Sequence, residues 1–93
     1  MAGPAKAKTN PEMMMRSNEV AVAFGRVLRC FRNQKGLSQE DLAGEADFDR
    51  TYPSLLERGL RTPTLSVLIA VAKPLGVAAA TLVVETEREL RRM

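Results

Sequence analysis

Residues 36–59 read GLSQEDLAGEADFDRTYPSLLERG, and this stretch restricts the fold more than any other part of the chain. Ser38 followed three residues later by Asp41 forms a capping-box start, with Asp where Glu or Gln is usual. Leu42, Ala43 and Ala46 then make a short apolar stripe at helical spacing. The stripe ends at Asp47-Phe48-Asp49, where Asp47 tolerates a left-handed turn and Asp49 is suited to cap a second helix. That helix, expected over 50–58, turns Leu56 inward and stops at Gly59. Two short helices joined by a tight turn, with hydrogen-bonding side chains opening the second, describe a helix-turn-helix, and the expectation is a DNA-binding module.

Composition fits a small helical domain. The chain has 93 residues, 45% of them hydrophobic but only four aromatic: Phe24, Phe31, Phe48 and Tyr52. Nothing alternates with period two, so no strands are expected. Cys30 is the one cysteine, which excludes an intramolecular disulfide. With no secretory segment in view, the expected location is the reducing cytoplasm. The longest apolar run, 67–72, is too short to span a bilayer. The net charge of +3 splits into +2 over 1–16, zero over 17–63 and +1 over 64–93. Bulk charge therefore does not argue for nucleic acid; only the local segregation does, with acids on the first helix of the motif and Arg50, Arg58 and Arg61 on or beside the second.

The motif also carries a family likeness. Gly-Leu-Ser-Gln-Glu-Asp-Leu-Ala at 36–43, Tyr52, Ser54, Leu56-Glu57-Arg58-Gly59 and Pro63-Thr64-Leu65 together resemble the XRE family of phage-repressor and Cro-like helix-turn-helix proteins, over about residues 24–82. Asp49-Arg50-Thr51-Tyr52 is similar, over a shorter match, to controller proteins of restriction–modification systems. The resemblance implies an all-α, single five-helix, lambda-repressor-like domain. It further implies that Arg32 pairs with Glu57, tying the first helix to the end of the recognition helix. Two departures stand out. Pro53 occupies a position where a core Val or Ile is usual, and it predicts a late or distorted start to the recognition helix. Asp47 stands where Gly is common.

In chain order, residues 1–16 are expected to be a flexible tail, with a basic arm for the minor groove as the functional alternative. Residues 17–84 form the domain and 85–93 a charged helical extension. A first helix is expected over 18–35, with Val20, Phe24, Val27, Leu28 and Phe31 on its inner face and Cys30 partly packed beside them. The helix beginning at Ser38 offers its N-terminus to a phosphate, and Gln39 donates there or to a base edge. On the recognition helix, Arg50 and Thr51 face base edges, Tyr52 the DNA backbone, and Ser54 and an outward Leu55 the groove, with Arg58 alongside. Arg61 and Thr62 hold phosphates from the following loop. Thr64 caps a fourth helix, over 65–75, that turns Leu65, Leu68, Ile69, Ala72 and Leu75 inward. Pro74 weakens its last turn and Gly76 ends it. A fifth helix begins near 78 and leaves Val83, Val84 and Leu90 as an apolar strip for a homodimer contact.

The expected function is a transcription regulator that binds a palindromic operator on double-stranded DNA as a homodimer. A restriction–modification controller is the alternative within that class, and an antitoxin-like protein-interaction module is the alternative outside it. An enzyme is not expected. The chain has no histidine, no metal-spaced ligand cluster, no glycine-rich phosphate loop and no nucleophile beside a base. No cofactor, metal, membrane or small-molecule effector is expected either.

Overall fold

A computed structural model describes residues 11–93, with side chains from Asn18 onward. Its elements are α1 (Pro11–Lys35), α2 (Gln39–Ala46), α3 (Tyr52–Glu57), α4 (Leu65–Leu75) and α5 (Ala79–Arg92). The fold is all-α, and the described residues contain no strand.

α1 starts earlier than the sequence suggested, so 11–16 belong to a helix rather than to the tail. Pro11 is its first residue, and proline is at home in a first turn, where its missing N–H would have had no partner. The remainder of the expected tail and its minor-groove arm lie outside the described residues. Cys30 is exposed rather than partly packed.

The local signals around the motif work through identifiable bonds. Ser38 Oγ accepts from the Asp41 N–H at 2.9 Å, while Asp41 Oδ2 accepts from the Ser38 N–H at 3.0 Å. The Ser38 backbone and hydroxyl bonds hold the Asp41 carboxyl below the usual carboxylate range. α2 ends at Asp47 in the left-handed conformation, φ 59°. Its N–H bonds back to the carbonyls of Ala43 and Gly44, as a left-handed C-cap should. Thr64 Oγ1 accepts from the Val67 N–H at 3.1 Å and starts α4. Gly76 ends it at φ 71°.

The core is aliphatic apart from Phe24, which clusters with Val27, Leu28, Leu42, Leu56, Val71, Ala72, Leu75 and Leu82. α1 runs through the middle, packing against α3 and α5, while α4 bridges α2 and α5. The inner face of α4 departs from expectation. Val71, Ala72 and Leu75 are buried and Leu68 is partly covered, but Leu65 is 70% and Ile69 58% exposed. Eight apolar side chains in eleven residues, Pro74 aside, make this helix apolar nearly all round, so spacing alone cannot choose its inner stripe. α5 likewise does not divide at 84/85. It is one helix to Arg92; Thr86 is buried, and Arg26 Nη1 on α1 donates to Glu89 Oε2 at 3.1 Å. Residues 85–92 thus continue α5, and Glu89 ties them to α1. No single helix among the described residues is long and apolar enough to cross a membrane.

Two glycines fix how α1 meets α3. A Cβ on Gly25 would lie 2.5 Å from the Leu56 carbonyl oxygen and 2.7 Å from that of Glu57. The crossing is backbone on backbone, and glycine is what permits it. Just beyond α3, Gly59 (φ 71°) presses on Val22, whose Cα a Cβ would meet at 3.0 Å.

Candidate nucleic-acid interface

Glu57, the last residue of α3, is the anchor of the motif. Its side chain has no solvent exposure, and a carboxylate in that position is costly unless its oxygens are bonded. They are. Arg32 Nε donates to Oε2 at 2.6 Å and Arg32 Nη2 to Oε1 at 3.0 Å, a two-pronged pair. Gln39 Nε2 on α2 donates to Oε1 at 3.1 Å, and Arg29 Nε reaches the same oxygen at 3.3 Å. Burial pushes the Glu57 carboxyl up, but the Arg32, Gln39 and Arg29 donors outweigh it and hold it below the ordinary range. The Arg32 guanidinium is correspondingly raised by its bond to Glu57. Arg32 also donates to the Leu37 carbonyl at 2.8 Å, bracing the loop before α2. One carboxylate thus joins α1, α2 and α3, so the recognition element cannot rotate without breaking charge-assisted bonds. Arg29 and Gln39 were not legible as members of this cluster, because their convergence depends on the helix crossing.

The recognition helix is shorter than its sequence suggested, Tyr52–Glu57 against an expected 50–58. Pro53 explains the shift without distortion. It falls in the first turn, where no helical bond is lost, and its ring is buried in the place expected of a Val or Ile. Arg50 and Thr51 consequently sit in the turn ahead of the helix, both exposed. Asp49 does not cap α3. Thr51 is the residue at that position and makes no side-chain cap. Asp49 Oδ1 instead accepts from the Thr51 N–H at 2.9 Å and its hydroxyl at 2.7 Å. These bonds stiffen the turn and lower the Asp49 carboxyl.

The other expected contact residues are distributed around this turn. Arg58 and Arg61 are exposed, their side chains resting on the Ser54 carbonyl (3.4 Å) and the Leu60 carbonyl (2.9 Å). Ser54 and Leu55 are half-buried, so Leu55 is less outward than expected. The Tyr52 ring meets Phe48 edge-on, with centroids 5.2 Å apart, and packs on the core while staying partly open to solvent. Thr62 is exposed but borders an apolar groove of about 230 Å³ between α1 and α5, shared with Val20, Phe24 and Leu90. At the N-terminus of α2 the capping box takes the Ser38 and Asp41 amides. The amides of Gln39 and Glu40 remain without a helical carbonyl to bond. The carboxylates of Glu40 and Asp41 stand in the same turn. The Gln39 side chain is turned toward Glu57, to which its Nε2 donates. Among the described residues, no group of three or more His, Cys, Asp or Glu side chains is placed to hold a metal ion.

A family profile described as a helix-turn-helix domain matches residues 23–83. The chain belongs to the XRE-like helix-turn-helix family of DNA-binding regulators. Among its relatives is the control protein C.MunI of a Mycoplasma species, 37% identical over 73 residues that span 77% of this chain and 99% of that one. The crystal structure of the restriction–modification controller C.AhdI from Aeromonas hydrophila superposes with a TM-score of 0.65. It is 40% identical and covers 67% of this chain and 94% of its own. The clp gene regulator ClgR from Corynebacterium glutamicum superposes at 0.73, with 30% identity and 77% of each chain covered. This XRE-like protein is accordingly a transcription regulator of the control-protein and repressor type.

Proposed function

We propose that this regulator binds a two-fold symmetric operator as a homodimer in the cytoplasm, reading base edges with the turn before α3. The observation that carries the reading is the Glu57 cluster: a buried carboxylate clamped from α1 and α2 holds a short helix whose leading turn exposes Arg50 and Thr51. Arg50 is suited to a bidentate guanine contact and Thr51 to a base edge or phosphate. Arg58, Arg61 and Thr62 are suited to backbone phosphates, with Ser54, Leu55 and Tyr52 completing the surface. The dimer surface is assigned to α5, where Val83 and Val84 are each 43% exposed and Leu90 half-buried. Half-sites about 34 Å apart would admit the two recognition turns into successive major grooves.

Control of a restriction–modification operon is favoured over other regulatory roles by the match to C.MunI across 99% of that protein's length. The test is selection from random oligonucleotides with the purified protein at low and physiological salt. A two-fold symmetric motif with half-sites one turn apart is expected, weakening steeply as salt rises. Recovery of no motif would refute operator binding and favour a protein-interaction role on the same fold. Arg50→Ala should relax one operator position by about 1–3 kcal/mol, whereas Arg61→Ala should weaken binding to all sequences alike.

A further inference from the structure

Glu40 lies in the first turn of α2, and its Oε1 is 3.1 Å from Nη2 of Arg50 in the turn before α3. The two side chains are 69% and 81% exposed. As a stabilising contact, so open a pair contributes little, since solvent screens it. Its effect is on what Arg50 is free to do. A guanidinium carries five N–H donors in a rigid plane. Glu40 draws Nη2 toward itself by charge and so biases where the guanidinium lies, while its N–H donors remain open to a further partner.

We propose that Glu40 is a specificity-determining residue. It restrains Arg50 so that the guanidinium serves a guanine lying in line with it and is withheld from phosphates on other sequences. The proposal rests on the base-reading role assigned above to Arg50. Two effects combine. Unrestrained, a flexible arginine neutralises phosphates on any duplex and strengthens binding without regard to sequence. An acid at the DNA edge also repels every phosphate backbone, and only at a cognate site does an oriented bidentate contact offset that repulsion. Glu40 also suits the positive end of α2, but Ser38 and Asp41 already cap that helix. Glu40→Gln therefore removes the charge while keeping side-chain length and the cap.

The experiment compares wild type, Glu40→Gln, Arg50→Ala and the double variant. Each is titrated by fluorescence anisotropy against the selected operator and a scrambled duplex of equal composition, with melting temperatures measured alongside. Glu40→Gln is expected to melt with the wild type and to bind the scrambled duplex roughly two- to five-fold tighter, the range an exposed ion pair supports. The operator gains less, so the ratio of the two affinities falls. In the Arg50→Ala background the same change shifts both duplexes equally. If Glu40→Gln tightens both duplexes by one factor with Arg50 present, or neither, Glu40 is only a repelling or solvated charge and this proposal alone is overturned. A wild-type protein that prefers neither duplex overturns the operator reading, and the proposal with it.

Discussion

Gly25→Ala tests whether the backbone-on-backbone crossing of α1 and α3 holds the recognition element in place. In an exposed helix, glycine-to-alanine is favourable by about 1 kcal/mol. Here the new methyl would sit 2.5 Å from one carbonyl oxygen and 2.7 Å from another, where ordinary contact begins at 3.4 Å, so the helices must part by roughly 0.9 Å. Neither oxygen belongs to a side chain that could rotate away. Overpacking a tight contact costs about 1–3 kcal/mol, and fixed carbonyls place this site at the upper end. Offset by the helical gain, the net loss is about 2 kcal/mol, which lowers the melting temperature by about 8–16 °C in a domain of this size. The separation also stretches the 2.6 Å bond from Arg32 to Glu57, so affinity for the operator should fall with stability. Gly44→Ala is the control: its Cβ would meet nothing within 4 Å, and that variant should be unchanged or slightly more stable. The measurement is thermal unfolding by circular dichroism. A Gly25→Ala protein as stable as Gly44→Ala would refute the close crossing.

Arg32→Ala should destabilise by about 2–3 kcal/mol, less than a fully orphaned buried carboxylate because Arg29 and Gln39 still reach Glu57; chemical denaturation checks this. The depressed Glu57 carboxyl gives stability a definite pH window. The contribution is complete above the ordinary glutamate value of 4.5, shrinks as pH falls below it, and is gone once pH passes the lower folded value. Asp41, Asp49 and Glu89 are lowered too and act in the same direction. Acid titration of the melting temperature should therefore be flat above about pH 5 and fall below it, and more steeply in wild type than in Glu57→Gln. Asp47→Gly should raise stability by up to about 1 kcal/mol by relieving a left-handed aspartate, with α2 intact by circular dichroism.

The features legible in the sequence were those decided within a few residues. The Ser38–Asp41 cap, the left-handed Asp47, the Thr64 cap and the glycine stops at 59 and 76 each rest on chemistry confined to one turn. Family likeness added the Arg32–Glu57 pair. What could not be read were consequences of how the helices cross. Arg29 and Gln39 are ordinary polar side chains until α1 and α2 bring them to one carboxylate. Arg50 and Glu40 approach each other only through the turn. The outward Leu65 and Ile69 could not be told from core positions on a helix so rich in apolar residues. Gly25 could not be told in the sequence from Gly44, which also lies inside a helix but would meet nothing within 4 Å. Pro53 was legible as the cause of a late helix start, since it falls in the first turn of α3.

The placement of Arg50 and Thr51 ahead of α3 bears on how the specificity of this protein could be moved to another scaffold. Exchanging the solvent-facing positions of a recognition helix presumes that the helix axis aims the reading side chains. If Arg50 and Thr51 read bases as proposed, a loop fastened at both ends aims them, by the left-handed Asp47 on one side and the buried ring of Pro53 on the other. A functional graft would carry residues 47–53 as one piece, together with Glu40 from the preceding helix. The six residues of α3 could stay those of the host, provided that a buried acid at their end finds its arginine.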